Sequence, residues 1–194
     1  MIAIKLIPMN LRLIFISLSC ILSLGSCISE DEIILKSDPL LAQIDSILSA
    51  QKTGLLKKPI TKTATINQKT EKETLTIDSA FIQSEFKTVL SKKYEQVFTN
   101  GGYIKNTSKN KASYTRKKSE NAGPISLEII MNQSIIQQIS LVEKRDNFLY
   151  ETETLISLHL DSSNQLIESY EIAGHQKIIT LDESSYEITG KITN

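Results

Sequence analysis

The chain has 194 residues, with 22 basic and 22 acidic side chains, two His, two Cys and no Trp. That length suits one domain of ordinary size, and a 40% hydrophobic share can fill a core, which excludes wholesale disorder. Balanced charge argues against a dedicated nucleic-acid binder, and two Cys cannot build a disulfide framework or a four-Cys zinc site.

The N-terminus reads as an export signal. Residues 13–24, LIFISLSCILSL, are an apolar run preceded by Arg12. The run is too short to span a bilayer, which needs about 20 apolar residues. Leu24, Gly25, Ser26 and Cys27 follow directly and resemble the bacterial lipobox: Leu at −3, two small residues, then the Cys that accepts diacylglycerol. Cys20 is the poorer candidate, because Ser17 stands at its −3 position. A start at Met9 gives a more ordinary lipoprotein signal than Met1, whose n-region is itself apolar and contains Pro8. Residues 1–26 are therefore expected to be the signal peptide and Cys27 the lipidation site. The only thiol of the mature chain would then be a thioether, which removes thiol catalysis and Cys metal ligation. Several acyl chains anchor firmly where one is marginal.

Ser29, Glu30, Asp31 and Glu32 lie just beyond Cys27. A Ser followed by an acidic cluster resembles the surface-export signal of Bacteroidota lipoproteins. The plainer reading is a solvated spacer. The expected location is the outer membrane, facing either the periplasm or the cell surface. Residues 27–37 form a tether to one domain over 38–194.

Asp38-Pro39 reads as an N-cap and first helical residue. Leu40, Leu41, Ile44, Ile47 and Leu48 have helical spacing, so a helix is expected over about 39–52, stopped near Gly54. Residues 61–67, TKTATIN, suit a strand, the charged stretch 68–73 a turn, and 74–77 a second strand. Asp78 can cap another helix carrying Ile82, Phe86, Val89 and Leu90 and fading after Phe98 before Gly101-Gly102.

The second half alternates with period 2. Ile125, Leu127, Ile129 and Met131 share a face, as do Ile135, Ile139 and Leu141, then Phe148, Tyr150, Ile156 and Leu158. Turns are expected at 161–164, at Ala173-Gly174 and at 182–185, with Leu166, Tyr170 and Ile172 and later Tyr186, Ile188 and Ile192 on strands. Helices followed by a run of strands indicate an α+β fold, with N-terminal helices on one face of a curved antiparallel meander.

Candidate chemistry is sparse. Glu151, Glu153, Ser157 and His159 share a strand face, but Glu153 and His159 are about 20 Å apart at 3.3 Å per residue. Glu151 and Glu153 are close enough to pair, yet a solvated outer face explains them more simply. His175, after Gly174, reads as an exposed loop residue. No G-x-S-x-G, H-E-x-x-H, Walker or EF-hand pattern occurs, and no metal or cofactor is expected. Residues 57–118 carry 14 basic and 5 acidic side chains, whereas 150–194 carry 2 Lys and 8 acids. Lys105, Lys109, Lys111, Arg116, Lys117 and Lys118, interleaved with Tyr103 and Tyr114, are anion-binding candidates. Equally, they suit an edge strand blunted by Lys. Asp45-Ser46-Ile47 and Asp78-Ser79-Ala80 resemble the O-glycosylation acceptor of Bacteroidota.

From Asp38 onward the chain resembles small Bacteroidota lipoproteins in its helix running into Phe81–Leu90, in Asn147-Phe148-Leu149-Tyr150 and in Gly174-His175-Gln176-Lys177. The resemblance implies a compartment and no functional residue. The leading expectation is a non-catalytic binding or accessory module held at the membrane by lipid, serving an apolar ligand or an envelope protein partner. The rivals are an envelope hydrolase using carboxylates such as Glu151 and Glu153, and a purely structural envelope protein.

Overall fold

The computed structural model describes residues 37–193. The lipobox, Cys27, Ser29, Glu30, Asp31 and Glu32 lie outside the described residues. In chain order come α1 (Pro39–Gly54), β1 (Pro59–Ile66), β2 (Lys69–Thr76), α2 (Ser79–Glu85), α3 (Lys87–Leu90) and α4 (Tyr94–Phe98). Seven strands follow: β3 (Tyr103–Ser108), β4 (Lys111–Arg116), β5 (Ser126–Asn132), β6 (Ile135–Asp146), β7 (Tyr150–Leu160), β8 (Ile167–Ile178) and β9 (Ser184–Ile192). All nine join one open antiparallel sheet in the order β2-β1-β9-β8-β7-β6-β5-β4-β3. The fold is α+β, as the patterning predicts.

Asp38 caps α1 by accepting the Leu40 N–H, and Pro39 follows where its missing donor costs nothing. Leu41, Ile44, Leu48 and Gln51 turn inward. The expected second helix is instead three short ones, α2 to α4. Asp78 caps α2 through the Phe81 N–H, and the chain breaks again around Phe86 and Ser91. Asp45 of α1 accepts the N–H groups of Tyr94 and Glu95 at the start of α4. Glu95 in turn accepts from Ser37 and the Asp38 N–H, so α1 and α4 cap each other. Both acids of the acceptor-like tripeptides, Asp45 and Asp78, thus serve as caps.

One sheet face meets the helices. Cross-strand rungs such as Tyr114–Leu127–Leu141–Ile156–Ile172–Ile188 run along it. Phe86 meets Tyr170 edge-on with centroids 4.9 Å apart, and Phe98 sits 4.5 Å from Tyr103 and 5.7 Å from Tyr114. The aliphatic core is therefore studded with aromatics where short helices touch the sheet.

Several local expectations are corrected. The first hairpin turns at Asn67-Gln68 alone, with φ of 47° and 71°, so 69–73 belongs to β2. A register shift at Ile130/Met131 buries Ile136 and leaves Ile135 exposed. Phe148 stands 85% exposed in the β6–β7 turn. Ala173-Gly174 is no turn: β8 runs straight through it, and His175 lies half-buried inside the strand, opposite Glu153 and Ser185. Residues 103–116, read as a basic stretch, form the edge hairpin β3–β4.

Candidate functional site

The outward sheet face is polar. Glu151, Glu153, Ser157 and His159 share it, as the alternation predicts. Glu151 pairs with Lys144, which holds its carboxyl below the usual range through a hydrogen bond and through charge. Glu153 lies between Lys144 and His175 in the neighbouring strands. These groups form a charge ladder on an open surface, and no cleft gathers them with His159. Among the described residues, no group of three or more His, Cys, Asp or Glu is placed to hold a metal ion.

The six basic candidates also fail to converge. Lys105 donates to Asp38 at 2.7 Å, Lys111 to Glu128 at 2.7 Å, Arg116 to the Gly123 carbonyl at 2.8 Å and Lys117 to the Gly101 carbonyl at 2.6 Å. Lys109 and Lys118 are exposed at opposite ends of the β3–β4 hairpin. Tyr114 donates to the same Asp38 oxygen at 2.6 Å. Burial works against charge on Asp38, yet hydrogen bonds from Lys105 and Tyr114 and the Lys105 charge outweigh it and lower the pKa. The basic edge thereby locks the start of α1 to the sheet.

The inward face holds the better site. Its apolar part lies under the helices. Further along β6 to β9 it turns polar, and a cleft of about 290 Å³ opens there. Thr152, Thr154, Gln176, Tyr186 and Arg145 come from the strands, and Glu85 and Thr88 from the helices. Its walls are held in place. Tyr186 and Thr154 hydroxyls lie 2.8 Å apart. Tyr186 crosses Gly174 in the adjacent strand, where a Cβ would come within 2.7 Å of the tyrosine oxygen. The same arrangement recurs four residues on, with Tyr170 crossing Gly190. Glycine opposite an aromatic lets the ring lie against the sheet.

Both cleft carboxylates are engaged. Glu85 accepts from Lys62 at 2.8 Å and from the Tyr170 hydroxyl at 2.8 Å. Burial and then Glu85 raise the Tyr170 pKa, so this phenol stays a donor. Glu143, from β6, is paired with Lys92. Sequence reasoning missed this site. Its signal was the inward continuation of Ile139-x-Leu141-x-Glu143-x-Arg145, where a period-2 apolar row turns charged without changing face.

A larger groove of about 580 Å³ lies between the end of α1 and α2–α3, with Ile82 and Leu90 among its lining and Lys52 and Lys87 beside them. No helix among the described residues is long and apolar enough to cross a membrane. No protein-family model, curated protein or solved structure matches the chain.

Proposed function

We propose that the protein is a non-catalytic binding module, held at the outer membrane by lipid on Cys27, and that it takes a polar ligand across the cleft on β6 to β9. One observation carries the reading: both acids of the cleft, Glu85 and Glu143, are neutralised by lysines, while hydroxyls and an amide line the space beside them. A carboxylate already paired with an ammonium is a poor general base or nucleophile. Thr152, Thr154 and Gln176 beside the flat phenol of Tyr186 offer donors and acceptors that suit a saccharide. The hydrolase alternative loses support with Glu151 tied to Lys144 on an open face.

Calorimetric titration with a panel of neutral and uronic-acid oligosaccharides tests the ligand class. Tyr186→Ala and Thr154→Ala should each weaken binding at least about tenfold, or about 1.4 kcal/mol. Glu151→Ala should leave it unchanged. Binding that survives both cleft substitutions would reject the site. Labelling cells with an alkyne fatty acid tests the anchor: Cys27→Ala should lose the label and Cys20→Ala should keep it.

A second reading rests on the groove beside α1. Ile82 and Leu90 flanked by Lys52 and Lys87 suit an acyl chain with an anionic head. Fatty-acid binding abolished by Lys52→Ala and Lys87→Ala together would favour it over the cleft.

A further inference from the structure

Apolar side chains more than half exposed concentrate at one end of the sheet. Phe148 is 85% exposed, Ile179 65%, Leu181 62%, Leu149 58% and Ile66 54%, all in or beside the β6–β7, β8–β9 and β1–β2 turns. Ile104, at 51%, lies apart from them on the edge strand β3. The turns are stitched together. The Ile179 N–H donates to the Leu149 carbonyl, the Asn67 N–H donates to the Ser185 carbonyl, and Asn67 accepts from Ser184 and the Ser185 N–H. Asn147 accepts from the N–H groups of Leu149 and Tyr150, which holds the turn closed and leaves Phe148 outside it. A hairpin tip of such composition contributes nothing to the core and is unfavourable in water.

We infer that this end of the sheet is a membrane-seating tip whose apolar turns dip into the lipid bilayer. Two features select a bilayer over a protein groove. The residues stand on three successive hairpin tips, a projecting surface that needs no preformed hollow. The chain also enters the domain within reach of that end. Asp38 is held by Lys105 and Tyr114, each two residues from the end where β3 starts and β4 stops. From Cys27 to Asp38 is a reach of at most about 36–40 Å extended. Tyr114 is level with Leu141, five residues short of the end of β6, so the β6–β7 turn lies about 17 Å away along the strands and three or four strand spacings, about 14–19 Å, across them, which together stay inside that reach. A lipid on Cys27 therefore lets the tip touch the bilayer that holds the lipid. The surrounding charges are mixed: Lys69, Lys144, Arg145 and Lys177 against Asp146, Glu151, Asp182 and Glu183. Apolar insertion, not attraction to anionic headgroups, is the driving term. Thr152, Gln176 and Tyr186 lie two residues from the strand ends here, so the cleft opens beside the seated tip. The inference rests on the anchored reading above and adds an orientation to it.

The absence of Trp makes the test direct. Phe148→Trp places one indole at the tip, and Ile135→Trp places one at the β5–β6 turn at the opposite end. The full chain, purified from cells and reconstituted in phosphatidylcholine vesicles with brominated acyl chains, is read by emission. The indole of Phe148→Trp should shift to the blue and be quenched at least about twofold by the bromines, while that of Ile135→Trp should behave as in water. Leu181→Trp is the second probe at the tip, and each variant's thermal melt checks its fold. Water-like emission from both tip variants, Phe148→Trp and Leu181→Trp, would overturn the proposal. A blue shift in Phe148→Trp without bromine quenching would mean a protein covers the tip, which also overturns it. Mass measurement of the same sample separates the two readings. Acylated protein with unquenched tips refutes seating alone, and unacylated protein with quenched tips refutes the anchor alone.

Discussion

Gly190 has almost no room for a side chain: a Cβ there would lie 2.1 Å from Cε1 of Tyr170. Tyr170 cannot easily retreat, because it is buried against Phe86 and its hydroxyl is held by Glu85. Gly190→Ala should therefore destabilise by about 1–3 kcal/mol, the range for overpacking, read as a lower urea midpoint. Asp38 makes a different demand. It accepts from the Leu40 N–H, Lys105 and Tyr114 at once, so Asp38→Ala removes a helix cap and strands a buried phenol. A cost of about 2–4 kcal/mol follows from the two losses. The lowered pKa gives the sign of the pH effect. A carboxyl whose pKa falls on folding adds stability above its unfolded value and forfeits it as pH drops through the folded one. Wild type should lose stability more steeply than Asp38→Asn below about pH 4. Urea titrations at several acid pH values measure the difference.

At the scale of elements, side chains tie α1 to the sheet near both of its ends. Asp38 holds its start. Near its other end the buried Gln51 donates to the Gln165 carbonyl and accepts the Ile167 N–H, which ties the helix to the β7–β8 turn. Gln51→Ala should cost about 1–3 kcal/mol because the Ile167 N–H loses its partner in the interior. Hydrogen exchange should rise first at Gln165–Ile167. The start of α1 was readable from Asp38-Pro39 and Leu41, Ile44 and Leu48, since cap and periodicity agree there. The break-up of the next helical region was not, because Ile82, Phe86 and Val89 keep helical spacing across separate short helices. The tight first hairpin was hidden too: Asn67-Gln68 takes two positive φ values with no glycine to announce them. Gly174 misled in the other direction. A glycine usually marks a turn, but here it makes space for Tyr186 inside a strand. The hairpin of β3 and β4 was legible only as the edge-strand alternative for the basic stretch, because Ala112 and Tyr114 are the only residues of that hairpin that are fully buried, too few to set a visible alternation.

Across the whole molecule, the period-2 patterning of the second half implied an antiparallel sheet with helices against it, and that is the arrangement found. What no local pattern could supply is the place of β1, which lies beside β9 and joins the first hairpin to the last strand. Cutting the chain before Ser184 would remove the one strand among the described residues that links the β1–β2 hairpin to the rest of the sheet. Such a truncation should lose its cooperative melt, and limited proteolysis should cut first between Pro59 and Thr76. Among the described residues, no strand pairs with the outer edges of β2 and β3. β2 reads KTEKETLT, with charges on both faces, which discourages a second molecule from adding to it. The same β1–β9 pairing governs the order in which the protein can be assembled. Its rungs join Ile66 to Tyr186 and Ile60 to Ile192, so the partners are 120 to 132 positions apart along the chain. A polypeptide that emerges N-terminus first presents β1 long before β9 exists, and closing so large a loop is slow. Through that interval the Thr-rich strand and its charged neighbour wait with a free edge. Solubility while waiting fits the composition of the first hairpin, in which Ile60 is the one fully buried strand residue.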